Sequence, residues 1–571
     1  MKNLARLRLA TSLNDIGALL AIKPSALAYV LYKLPPQAKY TTFSVPKKNG
    51  GERIIAAPEP RLKLIQRRLG FLLEQTQNEI ETHLEVKQQC VLAHGFKPGF
   101  STATNATNHR NRRWVFNTDL QDFFPSINFG RVRGFFIKNR HYKLNENAAT
   151  IIAQIACHEN RLPQGSPCSP VISNIIAHPL DIRLNELSTR AGCTNTRYAD
   201  DLTFSTNKKT FPPRIAGRHD ANHSVWVAGV DLERCVQRAG FAINPKKSRM
   251  QYCDSRQDAT GLVVNEKINV PKEYYKLARA MCWELTTKGI AFEKNDGAKT
   301  PINHNILRGK LSYIYHIKRW DDERRDASIE DVQKSCYHRV YADFLNYTAF
   351  FGLEQPTIVC EGKTDNIYLR CALRSLTANY PTLVQEKDGK KNLLVRLFKF
   401  TKTAQQVQGL SGGAAQLSNL LSKYREMIRD FKGVPQHPAI LIVDNDSGPE
   451  KLFKHLSNLL KRKVDGGEAY YFVYENLYVV PVPKVGGAFT AMEQLFAPEV
   501  LKVTLNGRVL DLTNKEQDAK KFYSKHEFSM RVIQERQARI NFDGFKPLLD
   551  AIVAVQRDYG AKVAATRRVA A

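Results

Sequence analysis

No CxxC pair and no Cys/His spacing of the kind that holds zinc occurs in this chain, although it carries ten cysteines. They are scattered at positions 90, 157, 168, 193, 235, 253, 282, 336, 360 and 371, and read as small buried thiols kept reduced. No apolar run approaches the roughly 20 residues that a membrane span needs, and the N-terminus lacks a signal-peptide pattern. A cytoplasmic protein without a membrane partner is the expectation. No internal repeat or low-complexity tract is visible, which argues against a solenoid or a disordered chain. Acidic residues are also short: 55 Asp and Glu stand against 85 Lys and Arg, a net charge of +30. The excess is shared by the first 350 residues and the remainder, so neither part is an acidic counterweight to the other. A polyanion such as RNA or DNA is the natural partner. With 571 residues the chain is too long for one hydrophobic core, and two or three domains are expected.

The acids that are present include two telling groups. Thr196-Arg197-Tyr198-Ala199-Asp200-Asp201-Leu202-Thr203-Phe204 reads as a strand, a tight turn bearing two acids, and a returning strand. Phe116-Asn117-Thr118-Asp119-Leu120 reads as a short strand ending in an acid. If these strands are neighbours, Asp119, Asp200 and Asp201 meet at one point. They can then hold two divalent cations for in-line attack of a 3′ hydroxyl on a nucleotide phosphate. Taken alone, a YxDD string is equally a polar hairpin tip.

The flanking segments come in a fixed order. Asp119 sits in Thr-Asp-Leu-Gln-Asp-Phe-Phe-Pro-Ser-Ile, followed by Leu162-Pro163-Gln164-Gly165-Ser166-Pro167-Cys168-Ser169-Pro170 and a helical run from Val171. After the second acid site come Asn244-Pro245-Lys246-Lys247-Ser248 and Thr260-Gly261-Leu262-Val263-Val264-Asn265. The series resembles the palm of reverse transcriptases over residues 40–270. The resemblance implies an α+β right-hand polymerase of fingers, palm and thumb, with Asp119, Asp200 and Asp201 as ligands of Mg2+, or of Mn2+ in its place. It implies that Phe124 is the bulky residue that rejects a ribose 2′-OH and that Gln164 lies near the incoming dNTP. Lys247 becomes a candidate general acid near the leaving pyrophosphate, a plain surface lysine being the alternative. Asn105-Ala106-Thr107-Asn108-His109 matches the NAxxH signature of retron reverse transcriptases. Ala259-Thr260-Gly261 approximates their VTG triplet, with alanine in place of valine. By that resemblance Asn105, His109, Thr260 and Gly261 belong to the region that reads the enzyme's own RNA.

The expected organisation is an N-terminal helical segment (1–39), fingers and palm (40–270), a helical thumb (271–350) and a further domain (351–571). Pro24 marks a helix start in the first segment. In the fingers, Thr41 to Val45 and Arg53-Ile54-Ile55 read as strands around a Lys-Lys-Asn-Gly-Gly turn, followed by a helical face with Leu62, Ile65, Leu69 and Leu72. Arg53 is the cation there assigned to the nucleotide triphosphate. Residues 206–230 suggest an inserted palm loop. In the thumb, cations interleave with Tyr274, Tyr275, Trp283, Tyr313, Tyr315 and Trp320, which suits RNA, though each ring is also a core candidate. Asp321 to Asp326 reads as an exposed turn.

Past the thumb, Thr357-Ile358-Val359-Cys360 and Ala439-Ile440-Leu441-Ile442-Val443 read as buried strands. They end at Glu361-Gly362-Lys363-Thr364-Asp365 and Asp444-Asn445-Asp446. Acids at the carboxyl ends of strands mark the ligand edge of an α/β sheet. An acid after one strand and DxD after a later one resembles the TOPRIM domain of topoisomerases, primases and OLD-type nucleases. That implies an α/β domain with a mainly parallel sheet, in which Glu361, Asp444 and Asp446 are metal-binding catalytic residues. A silent domain whose acids cap helices is the alternative. Glu493 is left open as a further ligand, and residues 500–571 read as a basic mixed tail.

The two resemblances together imply a retron RNA-directed DNA polymerase fused to a TOPRIM nuclease effector. Such an enzyme copies a cognate structured noncoding RNA (msr-msd) into branched multicopy single-stranded DNA and serves in antiphage defence. Partners are that RNA, its msDNA product and dNTPs, with self-association on the nucleic acid left open. Another bacterial reverse transcriptase, intron-encoded or diversity-generating, and a catalytically silent nucleic-acid scaffold are the alternatives.

Overall fold

The structure is a computed structural model that describes residues 2–47, 50–84, 92–219, 222–295, 298–445, 450–486, 490–512, 518 and 520–570. It comprises two compact units, Met1–Pro271 and Lys272–Ala571.

The first unit opens with short helices α1 (Lys2–Leu9), α2 (Leu13–Leu19), α3 (Pro24–Ala28) and α4 (Pro36–Lys39). Ser12 and Asp15 form a reciprocal cap on α2, and Pro24 opens α3 where its missing N–H is not needed. The hairpin β1 (Tyr40–Pro46) and β2 (Glu52–Pro58) follows, then α5 (Pro60–His83). Leu62, Ile65, Leu69, Leu72 and Leu73 are the buried stripe of α5, the face its periodicity predicts. Next come α6 (Thr102–Thr107), β3 (Trp114–Asp119), α7 (Phe129–Lys138), α8 (Glu146–Ala156) and α9 (Ser169–Ala191). Pro170 lies in the first turn of α9, and Gly192 ends the helix in a left-handed conformation, φ 67°. Ile182 of this helix is exposed. Strands β4 (Thr194–Tyr198) and β5 (Asp201–Thr206) form the acid hairpin.

Residues 206–230 are not a loose insertion. They contain a hairpin of β6 (Ala216–His219) and β7 (Asn222–Ala228). Trp226 holds it down, with its ring 6.0 Å from those of Trp114 and Phe211 and its indole N–H donating to the Tyr252 hydroxyl. After α10 (Val230–Arg238) come β8 (Arg249–Tyr252) and a small hairpin, β9 (Asp258–Ala259) and β10 (Leu262–Val263). The central sheet is antiparallel in the order β4-β5-β3-β8.

The second unit begins with helices and one hairpin: α11 (Lys272–Lys288), β11 (Phe292–Asn295), β12 (Ala298–Pro301), α12 (His304–Glu323), α13 (Ile329–Lys334) and α14 (Cys336–Asn346). Tyr315 is core, whereas Trp283 is 60% exposed. Of the exposed turn expected over Asp321 to Asp326, Asp321 to Glu323 continue α12, and Arg324 to Asp326 form an exposed turn. Asp321 is buried in the helix, 2.9 Å from the Arg325 guanidinium, because the helical i,i+4 pair satisfies its charge.

Beyond lie β13 (Thr357–Cys360), α15 (Asp365–Ser375), the hairpin β14 (Val384–Lys387) and β15 (Lys390–Leu393), β16 (Arg396–Leu397), α16 (Ala414–Ile428), β17 (Ala439–Val443), α17 (Glu450–Leu460), β18 (Tyr471–Tyr474) and β19 (Leu477–Pro481). Five of these strands make a sheet in the order β16-β13-β17-β19-β18, parallel except for edge strand β18. The uninterrupted apolar run of β17 is buried throughout, as a central parallel strand requires. Residues 500–571 are not a tail. The helix Lys546–Ala570 buries Leu548, Leu549, Ile552, Val555 and Tyr559, and Phe545 stacks edge-on against Phe496.

The thiols depart from the uniform burial read from their scatter. Cys168, Cys282, Cys360 and Cys371 are buried, Cys253 is exposed, and no described cysteine is in a disulfide. Cys90 lies outside the described residues.

Candidate active site

Sheet register assembles the first acid group. Asp119 ends β3 directly opposite Asp201, the first residue of β5, and the Leu120 N–H donates to the Asp200 carbonyl at 2.9 Å. Ala199 takes a left-handed φ of 56° at the turn between β4 and β5, which sets the two acids side by side. Burial and then the charge of Asp119 push the Asp200 carboxyl up to about 6, and a hydrogen bond with the Asp119 carboxyl adds to the rise. Asp201 is open to solvent along the cleft yet ringed by protein, and its pKa also moves up, through desolvation first and then Asp200 and Asp119. Water at its exposed edge screens part of that effect.

Lys247 closes the group. It sits on the short turn Pro245–Lys247, which is tied to β3 by the Asn244 N–H donating to the Asp119 carbonyl at 2.8 Å. Its ammonium lies 2.7 Å from Asp119 Oδ2. Although 55% exposed, Lys247 is therefore not a plain surface lysine. As they stand, no three His, Cys, Asp or Glu side chains among the described residues converge around an ion-sized point, since Asp119 is turned toward Lys247. The donor set nevertheless fits a hard divalent cation. It is all carboxylate oxygen, and its acids are crowded enough to resist ionising, which a dication relieves.

A residue that sequence reading passed over holds this site in place. Arg197 is 1% exposed and forks onto Asp181 of α9 at 2.6 and 2.8 Å. Its remaining nitrogen donates to the Ala199 carbonyl at 3.0 Å, inside the acid turn. Asp181→Ala leaves that guanidinium buried and uncompensated, and is expected to lower stability by about 3–5 kcal/mol. Urea unfolding followed by fluorescence measures it, and a loss under about 1 kcal/mol, the surface-pair range, contradicts the burial.

The loop before α9 is fixed to the hairpin. The Ala56 N–H donates to the Gln164 carbonyl at 2.8 Å. Gly165 has φ 125°, and a Cβ there meets the Ala56 carbonyl oxygen at 2.6 Å, so only glycine fits. Phe124 is half-buried, its ring 5.4 Å from Phe123 and 6.0 Å from Phe96. Arg53 lies exposed on β2 opposite Val45, and among the described residues nothing ties it to the aspartates.

The reverse transcriptase family model, "Reverse transcriptase (RNA-dependent DNA polymerase)", matches residues 45–273. The Retron Mx65 and Retron Mx162 reverse transcriptases of Myxococcus xanthus are each 35% identical, over 47% and 42% of this chain. The Retron Ec73 reverse transcriptase of Escherichia coli is 32% identical over 48% of this chain and 82% of its own length. The chain belongs to the retron reverse transcriptases. It spans 61% and 51% of the two Myxococcus relatives it matches.

The retron signatures of this reverse transcriptase meet in space, but not as direct RNA contacts throughout. Asn105 and His109 are 1% and 0% exposed. His109 bonds through Nδ1 to Ser205 Oγ at 2.8 Å and through Nε2 to Thr196 Oγ1 at 2.7 Å. Burial first, then Arg112, pushes its imidazole down to about 3, so it stays neutral. His109 ties the end of α6 to β4 and β5, and the burial of both side chains corrects the direct RNA contact expected of them. Thr260 and Gly261 form the β9–β10 turn with φ 49° and 79°. Thr260 Oγ1 donates to the Thr102 carbonyl at 3.4 Å, where α6 begins.

Outside the family match, the retron reverse transcriptase has its second acid group. Glu361 and Asp444 follow β13 and β17, neighbouring parallel strands, at their carboxyl ends. Glu361 Oε1 accepts from the Ala414 N–H at 3.1 Å and Oε2 from the Asp444 N–H at 3.4 Å. The glutamate therefore also caps α16, so the helix-capping alternative is realised alongside the clustering. Burial, then Asp365, Glu361 and Glu493, push Asp444 up to about 8. Asp365, in the first turn of α15, is pushed up to about 6 by burial and then Glu493, against the Gly362 N–H and Lys525. Glu493 is 3% exposed and lies 3.1 Å from Lys525. The structure thus joins Glu493 to the cluster and adds Asp365, whose only sequence signal is its place four residues after Glu361. Asp446 lies outside the described residues.

Proposed function

We propose that this chain is an RNA-directed DNA polymerase that copies part of a cognate structured noncoding RNA into branched multicopy single-stranded DNA. It acts in the cytoplasm, takes dNTPs as substrates and uses Mg2+ held by Asp119, Asp200 and Asp201. Metal there would lower the pKa of the attacking hydroxyl and steady the charge on the transferring phosphoryl group. The protein's own part is to fix the three carboxylates at one end of the sheet and to hold a cation, Lys247, beside them. The single observation that carries the reading is the cross-strand register of Asp119 with Asp201 in a chain of this family.

Residues 351–571, within the second unit, are proposed to be a TOPRIM-like, metal-dependent nuclease effector serving antiphage defence. Four clustered acids, two of them directly after parallel strands, support it, with burial and then mutual repulsion raising the pKa of Asp444 and Asp365.

The test of the polymerase reading is dNTP incorporation by the purified chain supplied with the structured transcript encoded beside it. A product with a 2′-linked RNA–DNA branch is expected with Mg2+ and none with EDTA. Binding of the transcript without any incorporation, in Mg2+ or Mn2+, would sink the reading and favour a silent scaffold.

A further inference from the structure

Two cavities of the second unit, each of about 540 Å3, share two walls: Arg308 of α12 and Arg396 of β16 line both. Lys399 adds a third cation, and Glu354 is the one acid lining either cavity among the described residues. Some arginines of this unit are matched to carboxylates, as Arg325 is to Asp321 and Arg508 to Glu527. Neither Arg308 nor Arg396 has such a partner within ion-pair distance among the described residues. Arg396 spends one nitrogen on the Thr348 carbonyl, 2.7 Å away, which leaves the rest of its five donors to the cavities. Burial first, and then the charge of Arg308, lower its pKa, with the Glu354 carboxylate acting against them. Arg308 is exposed and Arg396 half-buried, and with Glu354 as the one lining acid among the described residues the shared space keeps a net positive charge that favours an anion.

The guanidinium fork suits phosphate better than a point charge does. The phenyl and phenol rings that line the cavities, Phe344, Tyr341 and Phe398, are 1%, 3% and 5% exposed, which leaves the half-buried His304 imidazole as the one accessible ring among the described lining residues. We propose that this arginine-lined cleft binds the phosphodiester backbone of a nucleic-acid strand without reading its bases. The inference stands on the cations that line the two cavities, and it can fail or hold whatever becomes of the polymerase and effector readings.

Hydrogen exchange on the full chain tests it, with a mixed-sequence single-stranded oligodeoxynucleotide and, separately, with ATP. Residues 302–308 and 394–399 are expected to gain protection with the oligonucleotide and not with ATP. Binding measured across a salt series gives the second readout. Each single-strand phosphate contact contributes about 0.7 to the slope of log K against log salt, so the R308Q/R396Q variant is expected to lose about 1.4. The R308K/R396K variant keeps the charges and is expected to keep the slope. An unchanged slope in the glutamine variant overturns the proposal, as does protection by ATP alone or by neither ligand. If the glutamine variant does not fold, exchange in the unaltered chain decides by itself.

Discussion

Asp200→Asn combined with Asp201→Asn is expected to abolish dNTP incorporation while leaving RNA binding measurable. The amides keep the shape of the turn and remove the two negative charges that face Asp119 across the sheet. Losing one preorganised electrostatic contact in an active site typically lowers kcat by about 10²–10³, and here two charged ligands go together. The fall is therefore expected to exceed about 10³-fold. Stability should move the other way. The pKa of each acid is raised in the fold, so each resists ionising there and costs stability at any pH above its unfolded pKa. At neutral pH the amide pair removes that cost, and the variant is expected to melt no lower than the parent. A loss of synthesis with an unchanged or higher Tm identifies a chemical role. Retained synthesis contradicts the assignment of these acids, and a lower Tm contradicts their mutual repulsion.

The second large effect concerns the other unit. Glu361→Ala is expected to leave cDNA synthesis within about twofold of the parent and to remove toxicity or phage defence. Alanine alone is ambiguous, because it strips the Ala414 and Asp444 N–H groups of their acceptor and can loosen the start of α16. Glu361→Gln separates the two effects. The glutamine carbonyl still accepts a hydrogen bond but offers a divalent cation no charge. Both variants are expected to lose effector activity, with the glutamine variant melting within about 1 kcal/mol of the parent. Defence retained by Glu361→Gln would falsify the metal-ligand role. Loss of cDNA synthesis by the same variant would argue that the two activities are not separable.

Much of the first site was legible because it is built from local patterns. A two-residue turn between alternating segments announces a hairpin, and an acid ending a third strand announces its neighbour. The buried pair Arg197–Asp181 left no such trace, since a charged residue inside a protein is visible only through a partner that sequence spacing does not identify. The same holds for Glu493 and Asp365, drawn to Asp444 from separate elements by sheet packing. His109 was assigned to RNA through its place in the NAxxH signature, and two hydroxyls on β4 and β5 absorb both its nitrogens. The helix Lys546–Ala570 was misjudged for a different reason. Its apolar spacing, Leu548, Leu549, Ile552, Val555 and Tyr559, is plainly helical, but interleaved basic residues obscured it. Asp321 was misjudged likewise, since a run of like-sized charges hides which one turns inward.

Gly165 carries a mechanical corollary. Its α-carbon rests against the Ala56 carbonyl with no room for a methyl group, and the neighbouring carbonyl of Gln164 takes the Ala56 N–H. The segment bearing Gln164 and the strand bearing Arg53 thus have no separate travel. A tilt of one drags the other, so the hairpin and the loop before α9 shift as a single piece.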